Sequence, residues 1–174
     1  ETYKQQFIEF MVASDALTFG EFVTKSGRQT PYFINSGNFA DGPRISQLGE
    51  WYAQAINDRV GSGCDNLYGP AYKGIPLAVT TAAALWNLFQ HRVTYTFNRK
   101  EEKDHGEKGA LVGHRYVGGE KVLIIEDVVT AGTSVRESLS LLKAITDVEI
   151  VGVIVSVDRQ ERGQGERSAL DELQ

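Results

Sequence analysis

The sequence predicts an α/β protein with a mainly parallel sheet flanked by helices, preceded by a small N-terminal hood that contains a hairpin. Two observations support this prediction. From Asn66 onward, short strand-like segments alternate with helical segments, which is the order that βαβ units produce. In segment 121–127, KVLIIED, four consecutive apolar residues precede two acids, as expected of a strand covered on both faces. We interpret the 174 residues as a single domain, with the hood over residues 1–40 and the α/β core over residues 41–160.

The hood and the first core helix follow from apolar spacing and turn residues. Aromatic and aliphatic residues recur at helical spacing from Tyr3 to Met11, which predicts an amphipathic helix. In segment 19–37, two runs of aromatic and β-branched residues flank SGRQ, a pattern typical of a hairpin. Pro43 marks the first turn of the next helix. The predicted buried face of that helix comprises Ile45, Leu48, Tyr52 and Ile56.

The α/β core continues with four strands and two helices. The predicted strands include NLY, VTYTFN, KVLIIED and EIVGVIVSVDR; the helices are IPLAVTTAAALWNLF and SVRESLSLLKAI, and another helix begins at Ser168. Residues 99–119 interrupt this alternation with a long, glycine-rich segment. Loops of this length are uncommon in compact domains and are usually functional lids or disordered. We therefore predict that residues 99–119 form a flexible loop, either a functional lid loop or a solvated mobile loop without a function.

Composition excludes several functional classes. The net charge of -5 argues against a general nucleic-acid binder. The single cysteine, Cys64, excludes an internal disulfide and fits a reducing compartment. No apolar run approaches the ~20 residues that cross a bilayer, and the first residues do not resemble a signal peptide. We expect a soluble, cytoplasmic protein with no nucleic-acid or membrane partner.

The segment KVLIIEDVVTAGTS, residues 121–134, predicts an anion site. Ser134 and Glu137 have the spacing of a capping box, which places a helix N-terminus at the end of TAGTS. Backbone N–H groups at such an N-terminus attract anions, and Gly132 allows a phosphate oxygen to approach closely. In open α/β sheets, ligands bind beyond the carboxyl ends of strands, where this loop falls. A phosphate group is therefore the expected ligand.

Glu126 and Asp127, directly before this loop, further restrict the class of phosphate ligand that we expect. Carboxylates repel a phosphate, but they accept hydrogen bonds from vicinal ribose hydroxyls and stabilise positive charge at a sugar carbon. The pattern thus indicates a ribose 5-phosphate that reacts at its anomeric carbon. The alternative is that the two acids only complement the helix dipole or lie on the surface. The chain contains neither a Walker loop nor a G-x-G-x-x-G motif, so ATPase and dinucleotide-binding functions lack their main support.

The motif VLIIEDVVTAGTS resembles the 5-phosphoribosyl-1-pyrophosphate (PRPP) motif of the type I phosphoribosyltransferases. Four further segments resemble, in the same order, those of the orotate-using members: FGEFVTKSGRQTPYF, YGPAYKGIP, FNRKEEKDHGEKGALVG and SVDRQERG. The resemblance spans Phe7 to Gly165. It implies the type I phosphoribosyltransferase fold and transfer of a phosphoribosyl group from PRPP to orotate in pyrimidine synthesis. It also implies Mg²⁺ bridged by substrate oxygens, with no protein ligand assigned, and a homodimer with shared active sites.

The resemblance further implies a role for individual residues. The donor-binding set is Lys25, Tyr72, Lys73, Arg99, Lys100, Lys103, His105, Glu126, Asp127, Val128, Val129, Thr130, Ala131, Gly132, Thr133 and Ser134. The orotate-binding set is Lys25, Tyr32, Phe33, Ile34, Thr130 and Arg159. The catalytic set is Lys103, Asp127, Glu126, Lys73 and His105. Family members usually continue with another strand and helix, so we expect the C-terminal tail to be incomplete.

Two departures and two rival functions accompany this resemblance. Glu126 stands where the family often has Asp, and Ile34 stands where a second aromatic residue is common. One rival function is the same chemistry on another base, which Arg159 disfavours because a neutral base gives a buried arginine no anionic partner. Arg159 could instead form a salt bridge with Glu161 or Asp158. The other rival is a non-catalytic regulator that senses the donor or binds RNA on the same fold.

Overall fold

The computed structural model describes residues 2–24, 27–100, 109–145, 147–161, 165 and 167–172. Helices and strands alternate through most of this part of the chain. In chain order they are α1 (Thr2–Ala13), β1 (Leu17–Val23), β2 (Gln29–Ile34), a 3-10 turn (Ser36–Asn38), α2 (Gly42–Arg59), β3 (Asn66–Tyr68), α3 (Gly74–Phe89), β4 (Thr94–Asn98), β5 (Leu111–Gly113), β6 (Lys121–Val129), α4 (Thr133–Ile145) and β7 (Glu149–Asp158).

The main sheet has five strands in the order β5-β4-β3-β6-β7. Strands β3, β4, β6 and β7 are parallel, and β5 pairs antiparallel with β4 at the edge. The apolar run of β6 lies in the interior, and its side chains alternate between two layers. Leu123 and Ile125 join a cluster with α2 and α3, whereas Val122 and Ile124 join a second cluster with α4. The predicted mainly parallel α/β fold is confirmed.

The hood consists of α1 and the β1–β2 hairpin. The two strands pair antiparallel from Leu17 opposite Ile34, which confirms the predicted hairpin. Helix α1 packs on α2 at the start of the core through aromatic contacts, including Phe7 and Trp51, whose ring centroids lie 6.3 Å apart. The hairpin thus lies beside the sheet, with the Ser36–Asn38 turn leading from it towards the core.

Helix α2 begins as the sequence predicts. The side chain of Asp41 caps it by accepting a hydrogen bond from the Arg44 N–H at 2.8 Å, and Pro43 lies in its first turn. Of the predicted buried face, Leu48, Tyr52 and Ile56 are buried, and Ile45 packs partly buried against the same cluster. Among the described residues, no helix combines the length and apolar character needed to span a membrane.

Two local predictions are wrong. Strand β5 lies inside the segment predicted as loop, because residues 111–113 add to the free edge of β4 and are too few to show an alternating pattern. The helix predicted from Ser168 is not formed within residues 167–172, which make turns instead. Residues 101–108 of the predicted lid lie outside the described residues, so the flexibility of that segment stays a prediction.

Candidate active site

Three loops converge at the carboxyl edge of the sheet because the strands that precede them are parallel. Lys73 follows β3, Thr130 follows β6, and Arg159 follows β7. With the hairpin and Ser36 they line a cavity of about 630 Å³. This is the edge at which open α/β sheets bind their ligands, and the volume lies within the range of small-molecule sites.

Asp127 presents a carboxylate to this cavity. The Ser36 hydroxyl donates a short hydrogen bond to Asp127 Oδ2. Lys73 Nζ lies 3.1 Å from the same oxygen and 3.0 Å from Ser36 Oγ. Burial alone would raise the pKa of Asp127, but the bonds from Ser36 and the Val128 N–H, together with the Lys73 charge, lower it below its usual range. Asp127 is therefore ionised at neutral pH.

Glu126 points to the other side of β6, since adjacent side chains of a strand alternate between its faces. The Ser134 hydroxyl donates to Glu126 Oε2 at 2.6 Å, and the Asp127 N–H donates to Oε1 at 3.1 Å. Burial raises the pKa of Glu126, these two bonds only partly offset that effect, and the Asp127 charge adds to it. The two neighbouring acids thus have opposite pKa shifts and different partners.

The loop between β6 and α4 comprises residues 130–132, and Gly132 has a φ of +75°, which favours glycine. Helix α4 begins at Thr133, one residue earlier than predicted, so Ser134 is not its N-cap residue. Ser134 lies inside the first turn and gives its hydroxyl to Glu126 instead. The first N–H groups of α4 follow this loop directly, which is the arrangement that favours anions.

Arg136 is a cation at this loop that sequence reasoning missed. Its Nη2 donates to the Ala131 carbonyl oxygen in a short hydrogen bond, and its Nη1 lies 3.4 Å from Glu172 Oε2. Its position in the first turn of α4, two residues after TAGTS, is the signal that could have identified it. The guanidinium adds positive charge where the 5-phosphate of a sugar is expected.

Tyr72 and Lys73 lie on a tight loop between β3 and α3. A Cβ on Gly69 would come within 2.1 Å of the Gly74 carbonyl oxygen, so this position requires glycine. The Ala71 N–H donates to Asn98 Oδ1 at 2.8 Å and ties the loop to β4. Tyr72 is exposed, and Lys100 Nζ lies 5.4 Å from its ring centroid.

Arg99, Lys100 and the hairpin residues complete the described part of the predicted site. Arg99 Nε is buried without a hydrogen-bond partner among the described residues. Phe33, Ile34, Val128, Thr130 and Ala131 line the same cavity as Asp127. Val129 is buried, and Thr133 is exposed at the start of α4. Lys25, Lys103 and His105 lie outside the described residues, and their roles stay predictions.

Arg159 combines an ion pair with an unsatisfied donor. Its side chain is only 9% exposed, and its Nε lies 3.1 Å from Glu161 Oε1. Its Cζ lies 5.4 Å from the centroid of the Tyr32 ring, a cation–π contact. Its Nη2 is buried and has no hydrogen-bond partner among the described residues. The salt bridge considered as the alternative role of Arg159 is present, yet it leaves part of the guanidinium available.

The acidic residues of the cavity bear on metal binding. Among the described residues, no cluster of three or more His, Cys, Asp or Glu side chains is placed to hold a metal ion. Mg²⁺ in phosphate-transferring sites is commonly bound through one or two carboxylates and substrate phosphates. Among the described residues, Asp127 and Glu161 are the carboxylates that line the cavity, and Glu161 is paired with Arg159. The residues present therefore fit a metal carried chiefly by substrate oxygens.

Comparisons with known proteins converge on one family. The model of the phosphoribosyl transferase domain matches residues 35–172. A curated orotate phosphoribosyltransferase of Clostridium acetobutylicum is 56% identical over 173 residues, which are 99% of this chain and 77% of that relative. One of Thiobacillus denitrificans is 52% identical, over 98% of this chain and 78% of the relative. The crystal structure of a Francisella tularensis orotate phosphoribosyltransferase aligns with a TM-score of 0.83 and 42% identity, covering 97% of this chain and 79% of that one.

Proposed function

We propose that this chain, which belongs to the phosphoribosyl transferase family, is an orotate phosphoribosyltransferase of pyrimidine biosynthesis. It transfers the 5-phosphoribosyl group of PRPP to orotate and releases orotidine 5′-monophosphate and pyrophosphate. The observation that carries the choice of acceptor is Arg159, whose buried Nη2 lacks a partner among the described residues. A buried N–H donor without an acceptor is costly. The carboxylate of orotate supplies a charged acceptor for Nη2, whereas uracil and purine bases carry no carboxylate.

The geometry suggests a place for each part of the donor. The 5-phosphate would bind the N–H groups of the loop at residues 130–133, with Arg136 beside it. Asp127 would accept hydrogen bonds from the ribose hydroxyls, and Glu126 would approach the same sugar from the α4 side. Lys73 and Tyr72 would contact the pyrophosphate. This arrangement extends the donor along the carboxyl edge of the sheet, with its anomeric carbon towards the hairpin and Arg159.

The reaction separates charge, and the side chains are suited to stabilise it. The bond from the anomeric carbon to pyrophosphate breaks, pyrophosphate keeps the electron pair, and orotate N1 forms the new bond as it loses its proton. Positive charge develops on the sugar, and the ionised Asp127 stabilises it because its lowered pKa keeps it charged. Lys73 neutralises charge on the leaving group. Mg²⁺, when bound to the donor, would supply further charge neutralisation.

Residues 99–119 and the quaternary structure are part of the same proposal. We assign the part of this segment that precedes β5, residues 99–110, to a lid that excludes water, with Lys103 and His105 contacting the donor in a partner subunit. The enzyme is then a cytoplasmic homodimer with shared sites. A lid is useful here because water would otherwise hydrolyse the cationic sugar.

One assay tests the choice of acceptor. Protein, PRPP and Mg²⁺ are mixed separately with orotate, uracil or hypoxanthine, and absorbance is followed. We expect loss of orotate absorbance and no turnover of the other two bases. Turnover of uracil or hypoxanthine alone would support the rival acceptor, and no turnover with any base would support a donor-sensing regulator.

Subunit mixing tests the shared site. Lys103→Ala and Asp127→Asn proteins, each nearly inactive alone, are combined and allowed to exchange subunits. A heterodimer carries one site with both native residues, so activity should recover to about a quarter of wild type by random assortment. A mixture that stays inactive although exchange is demonstrated would contradict the shared-site dimer.

A further inference from the structure

The geometry points to Arg28 as a positioning residue for the acceptor: by sharing Glu161 with Arg159, it keeps Glu161 from pairing with both Nε and Nη2 of the Arg159 guanidinium. This inference rests on the proposed function and adds Arg28 and Glu161 to the residues that serve it. Neither residue needs to touch the substrate. Their effect on the acceptor passes through the orientation and availability of Arg159.

A single carboxylate oxygen connects the two arginines. Glu161 Oε1 lies 3.1 Å from Arg159 Nε and 3.3 Å from Arg28 Nη2. The same Arg28 nitrogen lies 3.5 Å from the Arg159 carbonyl oxygen. Arg28 follows the hairpin turn and Glu161 follows β7, so this cluster joins two walls of the cavity.

The ion pair between Glu161 and Arg159 contains a hydrogen bond from Nε but none from Nη2. Arginine and a carboxylate commonly form two parallel hydrogen bonds. Here the Arg159 Nε has Glu161 as a partner, while its Nη2 is buried and has none among the described residues. Because Arg28 binds the same oxygen from the hairpin side, Glu161 is held in a one-oxygen contact. The Nη2 is thereby kept for another acceptor.

The charges of the cluster suit a monoanionic acceptor. Arg28 and Arg159 carry two positive charges and Glu161 one negative charge, which leaves one positive charge to be neutralised. A planar base with one carboxylate supplies that charge, whereas a neutral base does not. Without Arg28, Glu161 and Arg159 would neutralise each other, and the acceptor's carboxylate would have to displace Glu161.

The test measures the KM for orotate and the KM for PRPP in Arg28→Ala. A second substitution then removes the Glu161 carboxylate, which competes with orotate for Arg159. Displacing one charge-assisted hydrogen bond corresponds to about a 10-fold change in affinity. We expect Arg28→Ala to raise the KM for orotate about 10-fold and to leave the KM for PRPP, at saturating orotate, within about 2-fold of wild type. Arg28→Lys should retain most of the orotate affinity, because lysine can still bind Glu161.

Second-site rescue distinguishes positioning from a structural or direct role. In the double variant Arg28→Ala/Glu161→Gln, no carboxylate competes for Arg159, so the KM for orotate should return to within about 3-fold of wild type. Arg44→Ala is the matched control, since Arg44 also pairs with an acid, at 3.5 Å, and its side chain is 40% exposed against 45% for Arg28. It should leave the KM for orotate unchanged.

Several results would overturn the inference. An unchanged KM for orotate in Arg28→Ala would do so, as would an equal rise in the KM for PRPP. Failure of Glu161→Gln to rescue would mean that Arg28 binds the acceptor itself or supports the hairpin. Unfolding temperatures are measured for every variant, and Arg28→Gln replaces Arg28→Ala if the latter does not fold. Wild-type protein that does not consume orotate would refute the proposed function as well, whereas failure of rescue alone leaves that function intact.

Discussion

Replacing Ser36 with alanine should destabilise the protein mainly through Asp127. The Ser36 hydroxyl donates to Asp127 Oδ2 and accepts from Lys73 Nζ at 3.0 Å. Alanine removes only this oxygen and fits the same backbone. The partners left to the carboxylate are the Val128 N–H and Lys73, and the Lys73 side chain is 65% exposed, so its ion pair is worth little.

The magnitude follows from the burial of Asp127. A hydrogen bond to a charged group contributes about 1.5–3 kcal/mol, and Asp127 is 9% exposed, so little solvent is available to replace the lost hydroxyl. We expect Ser36→Ala to lower the free energy of unfolding by about 2 kcal/mol near neutral pH. For a domain of this size that corresponds to a fall of about 4–8 °C in Tm.

The pH dependence separates this mechanism from a loss of packing. The pKa of Asp127 is lowered in the folded protein, partly by Ser36. Its stabilisation is therefore present above the unfolded pKa of about 3.9 and is lost as pH falls through the lower folded pKa. The difference in unfolding free energy between wild type and Ser36→Ala should be constant from about pH 7 to pH 5 and shrink below that.

Urea unfolding at a series of pH values measures this difference. Ser138→Ala is the control, because the Ser138 hydroxyl is buried and bonds a neutral group, the Ser134 carbonyl oxygen, at 2.8 Å. Its cost of about 1 kcal/mol should not change with pH. A Ser36→Ala cost that is equally independent of pH, or below about 0.5 kcal/mol near neutral pH, would refute the role assigned to the Ser36–Asp127 bond.

Three further substitutions test other parts of the site. Gly69→Ala places a Cβ 2.1 Å from the Gly74 carbonyl oxygen, so the loop that carries Lys73 must move, and steady-state kinetics should show kcat/KM for PRPP reduced about 100-fold. Glu126→Gln removes a charge that burial disfavours, as the raised pKa of Glu126 indicates. Urea unfolding should therefore show a free energy of unfolding about 1 kcal/mol higher than wild type near pH 8, and no difference near pH 4. Activity should fall. Arg159→Lys loses the planar fork, and initial rates should show the KM for orotate raised at least about 10-fold with the KM for PRPP unchanged.

Much of the fold could be predicted because it depends on local patterns. The apolar run of β6, the helical spacing of α1 and the Asp41–Pro43 start of α2 each carry their own physical signal. Strand β5 carries none, since three residues cannot show an alternation and their pairing depends on the free edge of β4. Helix α4 begins one residue before its predicted start, and Ser134 donates its hydroxyl to Glu126, a contact that no local pattern specifies.

The candidate site was predictable in its residue types and less so in its contacts. Parallel strands place Lys73, Asp127 and Arg159 at one edge, which the order of the elements already implies. Ser36 lies 91 residues from Asp127 in the chain, and Arg28 lies 133 residues from Glu161. No periodicity or motif specifies such pairs, because they depend on how the hairpin packs on the sheet.

Glu126 and Asp127 have opposite pKa shifts because neighbouring residues of a strand point to opposite faces of the sheet. The alternation of β6 turns Asp127 towards the hairpin, where Ser36 and Lys73 favour its ionised form, and turns Glu126 towards α4, where burial disfavours ionisation. Of the two acids, Asp127 is therefore the one that we expect to stabilise positive charge on a sugar. Glu126 holds Ser134 and with it the first turn of α4, so a sugar hydroxyl that approaches Glu126 must compete with a bond that orients the phosphate loop. We therefore expect binding of the sugar and ordering of that loop to be coupled through Glu126.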